Sequence, residues 1–405
     1  MKNELRPLEP ALQELLGFID PVGQTEVIDT IDAAGRILAQ PVVSDIDVPP
    51  MDNTQMDGYV MNSADVADGA KLAVSQRIPA GHVGEPLAKG TAARIFTGAG
   101  IPPGADAVVM QEQVTVEGEA IVLGKAPESG AWVRRRGEDI AAGGEILPAG
   151  TRLSPQAVGL AASVGLPTVT VRRKVRVACF FTGDELTMPG EPLKPGAIYN
   201  SNRYVLVSLL RALGCEVHDL GIVPDSLDAT RAALREAAAS SDLIVTSGGV
   251  SVGEEDHVKP AVEAEGELRL WKLNIKPGKP FAYGQVRRDD QPAAHFVGLP
   301  GNPVSSFVTF LLLVRPLILK LAGVSDTESK AVTLTADFTL PRPDRRREFL
   351  RARINEAGKL ELYTNQSSAV LTSTVWGHGL IDNPPGGAIE PGQPVRFLSF
   401  DELLN

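Results

Sequence analysis

The sequence predicts a multidomain α/β fold with a central, mainly parallel α/β domain, a helical N-terminal domain that carries a β-rich insertion, and a C-terminal β-barrel. The central domain is predicted because strand-like and helix-like segments alternate from Lys174 onward, which is typical of right-handed βαβ units. The insertion is predicted because Gly and Pro separate short alternating runs between residues 42 and 150. The barrel is predicted because strand-like runs separated by Pro/Gly turns follow a polar linker at residues 325–330.

The N-terminal segments carry helical apolar spacing at residues 8–18 and 28–39, and a third helix is predicted at residues 156–164 after Ser154-Pro155. We assign residues 1–45 and 141–173 to the helical domain and residues 46–140 to the insertion. Within the insertion, the strand-like runs are residues 71–74, 92–97, 107–111 and 121–123.

The α/β domain is assigned to residues 174–325 and the barrel to residues 326–405. The predicted strands of the α/β domain are residues 175–181, 216–221, 243–246, 268–273, 281–286 and 294–298. Its predicted helices are residues 202–213, 227–239 and 258–263, with a long apolar helix from Val304. The predicted strands of the barrel are residues 332–338, 348–354, 360–363 and 395–400.

Composition limits the classes of function. The 405 residues carry a net charge of −11, so bulk attraction to nucleic acid or to an anionic membrane is not expected. The N-terminus has no apolar signal segment, and the apolar run at residues 304–322 is interrupted by charges, so we expect a cytoplasmic protein. The five histidines and two cysteines form no metal-ligand spacing, and no Ser-His-Asp or Cys-His arrangement is evident.

Polar and glycine-rich turns follow the predicted parallel strands. Because the carboxyl ends of parallel strands meet at one edge of a sheet, we expect these turns to form a ligand site. The adjacent glycines Gly248 and Gly249 would allow backbone N–H groups to approach an anion closely. The turns are Thr182-Gly183-Asp184-Glu185, Pro224-Asp225, Ser247-Gly248-Gly249 and Gly298-Leu299-Pro300-Gly301-Asn302-Pro303.

Three lysines, Lys272, Lys276 and Lys279, lie on or just after one predicted strand. Residues 272 and 276 have the same parity, so on one strand their side chains would share a face. Converging ammonium groups suit a phosphate or an oxyanion such as sulfate or molybdate, although a solvated lysine edge is the alternative.

Carboxylates at the same predicted edge, namely Asp184, Glu185, Asp225 and Asp256, suggest Mg²⁺ beside phosphates, with helix capping as the alternative for Asp225. The basic run at residues 134–136 is either a phosphate clamp or a solvated turn. Together these features favour phosphoryl, nucleotidyl or oxyanion transfer by positioning and metal charge over covalent catalysis.

Several motifs, taken together and in order over residues 5–400, resemble those of the molybdopterin molybdenumtransferases, the family of the bacterial MoeA proteins and the E domain of gephyrin. The motifs are MDGY at 56–59, TG at 97–98, QE at 111–112, RRRGED at 134–139, TGDEL at 182–186, SGGVSVGEED at 247–256, KPGKP at 276–280 and GLPGNPVS at 298–305.

This resemblance implies a central domain of the molybdopterin-binding type and a homodimer whose subunits both contribute to the active site. It implies Mg²⁺-dependent insertion of molybdate into adenylylated molybdopterin, with release of AMP, to give the molybdenum cofactor. The partners it implies are a second copy of the chain, a molybdopterin adenylyltransferase, and molybdoenzymes or their chaperones. Two alternatives are nucleotidyl transfer of the adenylyltransferase kind and a non-enzymatic scaffold that reuses the fold.

The resemblance also implies roles for individual residues. The catalytic set is Asp57, Thr97, Asp139, Glu185, Asp225, Asp256, Lys272 and Lys276. The Mg²⁺ ligands are expected among Asp57, Glu185, Asp225 and Asp256. The binding set for the pterin, the nucleotide and molybdate is Ser247, Gly248, Gly249, Ser251, Lys279, Pro300, Arg134, Arg351 and Ser368.

Overall fold

The computed structural model describes residues 5–249, 257–289 and 292–404. The chain divides into two compact units. Unit 1 comprises Met1–Glu26, Gly35–Ala39 and Thr170–Asn405, and unit 2 comprises Val27–Ala34 and Gln40–Val169. The finer division into four domains stays a prediction.

The N-terminal segment begins with helix α1 (Leu8–Gly17), as predicted, and continues to strand β1 (Thr25–Asp29). The helix predicted over residues 28–39 is wrong, because β1 ends at Asp29 and only a single 3₁₀ turn follows, at Thr30–Asp32. The β-branched residues of this stretch favour extended backbone, and Gly35 has a φ of +79°, which ends any helical run.

Unit 2 is rich in short strands, as expected for the insertion. These are β2 (Val42–Val43), β3 (Asn53–Thr54), β4 (Gly58–Met61), β5 (Lys71–Ile78), β6 (Thr91–Ile95), β7 (Ala107–Met110), β8 (Val114–Glu117), β9 (Ala120–Leu123), β10 (Val133–Arg134) and β11 (Glu145–Leu147), followed by helix α2 (Pro155–Ser163). Six of the strands form one sheet in the order β7-β4-β6-β5-β9-β8, while β10 pairs with β3 and β11 with β2. Ser154 caps α2, since its Oγ accepts from the Ala157 N–H at 3.2 Å.

The α/β region alternates strands and helices as predicted. Its elements are β12 (Thr168–Arg172), β13 (Arg176–Thr182), β14 (Leu186–Thr187), β15 (Ile198–Tyr199), α3 (Ser201–Ala212), β16 (Glu216–Val223), α4 (Leu227–Ser240), β17 (Leu243–Ser247), α5 (Val258–Glu265), β18 (Gly266–Lys272), β19 (Ile275–Lys276), β20 (Pro280–Val286), β21 (Ala294–Leu299), α6 (Pro303–Thr309), a π-helical turn (Phe310–Val314) and α7 (Arg315–Leu321).

The central sheet has the strand order β16-β13-β17-β21-β20-β18. Strands β16, β13, β17 and β21 are parallel, whereas β20 runs antiparallel to both β21 and β18. The sheet is therefore mixed rather than uniformly parallel. The segments that join β18 to β20 and β20 to β21 are too short for the crossover that parallel neighbours need.

Strands β13, β17 and β21 in the middle of the sheet are buried on both faces, which explains their nearly continuous apolar runs. Val177, Cys179 and Phe181 of β13 pack toward the side that holds residues of α1, α3 and α6. Ala178 and Phe180 pack toward residues of α4 and α5. The stretch Pro303–Leu321 is long and apolar enough to cross a membrane by length and composition, but 89% of it is buried inside the protein, as in a core helix.

The C-terminal region contains β22 (Val332–Thr335), β23 (Arg347–Ile354), β24 (Leu360–Leu362), α8 (Thr372–Trp376), β25 (Gly379–Asn383), β26 (Pro394–Ser399) and α9 (Phe400–Leu404). Its sheet follows the path β19-β23-β25-β26-β22, and β24 pairs with β23. A bridge between Ala336 and Leu360 joins β24 to the residue that follows β22. Strand β19 leaves the α/β region and pairs in parallel with β23, so the two regions of unit 1 share backbone hydrogen bonds.

Candidate functional site

A cleft of about 1050 Å³ opens at the carboxyl ends of β13, β17 and β21. It lies where the topology of an open α/β sheet favours a ligand site. Nine of the predicted site residues line it: Glu185, Asp225, Ser247, Gly248, Gly249, Lys276, Lys279, Pro300 and Ser368.

Ser247 ends β17 and is 3% exposed. Its hydroxyl donates to the Pro300 carbonyl at 3.0 Å and accepts a hydrogen bond from Asn202 Nδ2 at 2.8 Å. The same Asn202 nitrogen donates to the Gly301 carbonyl at 2.7 Å. Ser247 and Asn202 therefore join the ends of β17 and β21 to the start of α3, and the Ser247 proton is already committed within the protein.

The two glycines after Ser247 differ in what they offer a ligand. The Gly248 N–H donates to the Leu299 carbonyl at 3.1 Å and so extends the ladder of the sheet. Gly249 has a φ of +66°, and a Cβ placed there would lie 2.4 Å from Val258 Cγ2. Both glycines have a positive φ and a crowded Cβ position. Because the Gly248 N–H is already engaged, the Gly249 N–H is the better candidate of the two for the expected anion donor.

Two predicted Mg²⁺ ligands, Glu185 and Asp225, line the same cleft. The Glu185 carboxylate folds back over Gly183, where a Cβ would lie 2.5 Å from Oε2. Asp225 does not cap α4, because Ser226 occupies the cap position and accepts from the Ala229 N–H at 3.3 Å.

Among the described residues, no three His, Cys, Asp or Glu side chains come together as a metal site. Two carboxylates nevertheless match the usual requirement of Mg²⁺, which binds through one or two carboxylates together with substrate phosphates and water. The donor set of the cleft is thus compatible with Mg²⁺ that arrives with a phosphorylated substrate.

Lys276 is placed in the cleft by β19. Its Nζ lies 3.1 Å from Glu348 Oε1 and 3.4 Å from Asp344 Oδ2. Asp344 is also held by Arg346, with 3.0 Å between Arg346 Nη2 and Asp344 Oδ2, and hydrogen bonds from Arg346 hold the pKa of Asp344 well below its usual range. An oxyanion that binds Lys276 must therefore compete with the carboxyl groups of Glu348 and Asp344.

The expectation that Lys272 and Lys276 share one strand face is wrong. Lys272 ends β18 in the central sheet, whereas Lys276 lies on β19 in the C-terminal sheet. Because β18 is the outermost strand, two strands away from β21, Lys272 is not among the residues that line the cleft. Lys279 immediately precedes β20 and does line it.

Arg351 is almost completely buried, with 1% of its surface exposed, directly behind the cleft loop that contains Ser367 and Ser368. Its guanidinium donates to Ser373 Oγ at 3.0 Å and to the Ser367 carbonyl at 3.2 Å. Burial lowers its pKa to about 10. The backbone carbonyl of Ser368 accepts a hydrogen bond from the Val304 N–H at 3.0 Å, which attaches this loop to α6.

The remaining predicted residues fall in unit 2 or outside the described residues. Asp57 Oδ1 accepts both the Thr97 N–H at 2.8 Å and the Thr97 hydroxyl at 2.7 Å, and these bonds lower the pKa of Asp57. Arg134 lies on β10, and both it and Asp139 are exposed. Ser251 and Asp256 lie outside the described residues.

The basic turn at residues 134–136 is anchored in unit 2. Arg135 pairs with Asp52 at 2.7 Å and Arg136 pairs with Asp47 at 2.5 Å. Two of its three arginines are therefore already engaged, which leaves Arg134 as the member of the run best placed to meet an anion.

Asn202, Arg346 and Gln366 are among the side chains that line the cleft and that sequence reasoning missed. Asn202 follows Asn200, which caps α3 by accepting from the Arg203 N–H at 3.1 Å, so the Asn-Ser-Asn run at a strand-to-helix turn was an available signal. Arg346 and Gln366 come from the C-terminal region, and no local pattern indicated that this region meets the sheet edge.

Three family models match the chain in order. The MoeA N-terminal region (domains I and II) matches residues 6–165, a probable molybdopterin binding domain matches residues 178–320, and the MoeA C-terminal region (domain IV) matches residues 332–400. The curated molybdopterin molybdenumtransferase of Haemophilus influenzae is 39% identical over 98% of this chain and 99% of its own. That of Bacillus subtilis is 33% identical over 98% of this chain and 94% of its own.

A solved structure, the molybdopterin biosynthesis MoeA protein of Pyrococcus horikoshii OT3, is similar to this chain with a TM-score of 0.85 and 29% identity, covering 98% of this chain and 100% of that one. The family resemblance drawn from the motifs is confirmed by these matches. The fold is accordingly the MoeA-type multidomain fold with a molybdopterin-binding domain. The chain belongs to the MoeA family of molybdopterin molybdenumtransferases.

Proposed function

We propose that this protein is a transferase that inserts molybdenum from molybdate into adenylylated molybdopterin, with Mg²⁺ and with release of AMP, to complete the molybdenum cofactor. The observation that carries the proposal is the cleft at the strand ends, where a glycine turn, two carboxylates and two lysines line one cavity. These groups match a substrate that carries a diphosphate bridge together with a dianionic oxyanion.

Each part of the cleft has a distinct task in this proposal. The Gly249 N–H and Lys279 bind substrate phosphate oxygens. Lys276 binds molybdate once the anion has displaced the ammonium group from the carboxylates of Asp344 and Glu348. The buried charge of Arg351 acts on the Ser367-Ser368 loop and raises its affinity for an anion. In a partly desolvated cleft, each charge-assisted contact is worth about 1.5–3 kcal/mol.

Mg²⁺ would be held by Glu185 and Asp225. Asp57 and Asp256 are proposed as its further ligands. Bound there, it supplies positive charge to the phosphate oxygens and to the leaving AMP. Thr97 holds Asp57 in its ionised form, and Asp139 and Arg134 complete the catalytic and binding set. Ser251, which lies in the SGGVSVGEED motif, and Lys272, which the resemblance assigns to the catalytic set, also remain in the proposal.

The same proposal includes the finer architecture and the setting. We propose a helical N-terminal domain, a closed C-terminal barrel, and a homodimer with an active site to which both subunits contribute. The protein would act in the cytoplasm, receive its substrate from a molybdopterin adenylyltransferase, and deliver the product to molybdoenzymes or their chaperones.

The test is reconstitution with the purified protein. Incubation with adenylylated molybdopterin, Mg²⁺ and molybdate should release AMP in proportion to the molybdopterin converted to cofactor. A reaction that consumes ATP and free molybdopterin instead would favour the adenylyltransferase alternative. If neither reaction occurs although circular dichroism shows that the protein is folded, the scaffold alternative is favoured.

A further inference from the structure

Asn202 lies in the first turn of α3 and lines the cleft. Asn200 caps that helix, so the backbone of Asn202 is fixed relative to the sheet edge. Its side chain contacts two strand ends at once, through Ser247 after β17 and Gly301 after β21. Asn202 is therefore held from both sides before any ligand arrives.

The orientation of this amide follows from its partners. The Gly301 carbonyl can only accept a hydrogen bond, so the amide atom 2.7 Å away is the nitrogen. The Ser247 hydroxyl donates to the Pro300 carbonyl and therefore accepts the second Nδ2 proton. Both protons of the amide are committed, and no residue in the described parts of the chain donates to Oδ1.

We propose that Asn202 Oδ1 is a specificity-determining acceptor that binds the exocyclic amine of the substrate's nitrogen heterocycle. The inference rests on the proposed function, since it takes the ligand of the cleft to be an adenylylated pterin. A carbonyl-type oxygen repels phosphate and molybdate oxygens but accepts a hydrogen bond from an exocyclic amine. Both the pterin and the adenine carry an exocyclic amine.

The geometry also removes a competing donor. Because the Ser247 proton is bound to the Pro300 carbonyl, Ser247 acts by holding Asn202 in place rather than by donating to the ligand. A preset acceptor loses little conformational entropy on binding, which favours discrimination between ligands that differ by one N–H group. A ligand without that group would bury Oδ1 without a partner.

The test compares ligand pairs that differ by the amine. AMP is compared with purine riboside 5′-monophosphate, and pterin with pteridin-4-one, which lacks only the 2-amino group, by equilibrium binding to the full-length protein. The wild type should prefer the amine-bearing member of one pair by about tenfold, the value of one well-formed hydrogen bond. The pair that shows the preference identifies the adenine or the pterin as the group that Asn202 contacts.

Asn202→Ala should bind both members of that pair within about twofold of each other. A purely structural role would instead weaken both members equally and keep the preference, which overturns the inference. Ser247→Ala, which keeps Oδ1 but removes one anchor, should retain part of the preference.

If the wild type binds the ligands without preference for the amine, the inference fails while the proposed function stands. This wild-type comparison decides the inference even if Asn202→Ala does not fold. If the wild type binds neither pair, the proposed function fails first and the inference with it.

Discussion

Replacing Gly248 with alanine tests whether the turn after β17 is shaped by backbone packing. Gly248 has a φ of +98°, and an added Cβ would lie 2.8 Å from the backbone carbonyl oxygen of Thr182. A left-handed conformation costs an L-residue about 1–2 kcal/mol, and a forced overlap in packed structure costs about 1–3 kcal/mol. Gly248→Ala should therefore lower the free energy of unfolding by about 2–5 kcal/mol, a large share of the usual total.

The matched control is Gly301→Ala in the same cleft. The backbone of Gly301 is outside the left-handed region, and among the residues that the structure describes its added Cβ would meet only Gly248 Cα, at 3.9 Å. We expect a change within about 0.5 kcal/mol. Urea unfolding followed by tryptophan fluorescence, to which Trp271 in the interior of unit 1 contributes, measures both variants. Equal midpoints for the Gly248→Ala variant and the wild type would refute the packing argument.

Three further predictions concern protons, metal and charge. Burial, followed by the charge of Arg288, lowers the pKa of His295 from 6.5 to about 4. Between pH 6.5 and pH 4 the unfolded chain therefore binds a proton at His295 that the folded protein does not bind. Stability should fall by about 1–2 kcal/mol from pH 7 to pH 5, and His295→Gln should flatten this dependence in urea midpoints. Glu185→Gln should raise the Mg²⁺ concentration for half-maximal AMP release at least several-fold without changing the urea midpoint, and an unchanged Mg²⁺ requirement would exclude Glu185 as a ligand. Asp57→Asn keeps the oxygen that accepts from Thr97, so AMP release should fall at least tenfold at an unchanged urea midpoint; full activity would show that its charge is not required.

Much of the fold could be predicted because local patterns determine it. The alternation of strands and helices after Lys174 located nearly every element of the central sheet. The alternation of strands and helices did not predict that β20 runs antiparallel to β21. The direction of β20 follows instead from the short segments that connect it to the neighbouring strands. Residues 28–39 carried helical spacing, but they form the end of a strand and a single 3₁₀ turn instead of a helix. Their β-branched residues favour extended backbone, and Gly35 has a left-handed conformation that a helix does not allow.

The site could be predicted where it follows from strand ends and not where it depends on distant contacts. Ser247, Glu185 and Asp225 lie in the cleft because parallel strands end together. Asn202 became visible only through its hydrogen bonds to two strand ends. Lys272 and Lys276 were expected to act together, but the chain changes sheets between them, which no spacing rule indicates.

The central claim is that the cleft at the strand ends binds the oxyanion, and a molybdate titration tests it most directly. Lys276→Ala removes the cleft ammonium, and Lys359→Ala removes an exposed lysine that does not line the cleft. By isothermal titration, Lys276→Ala should weaken molybdate binding at least tenfold, as expected for a lost charge-assisted contact, while Lys359→Ala should match the wild type. Equal molybdate affinity for Lys276→Ala and the wild type would contradict the account.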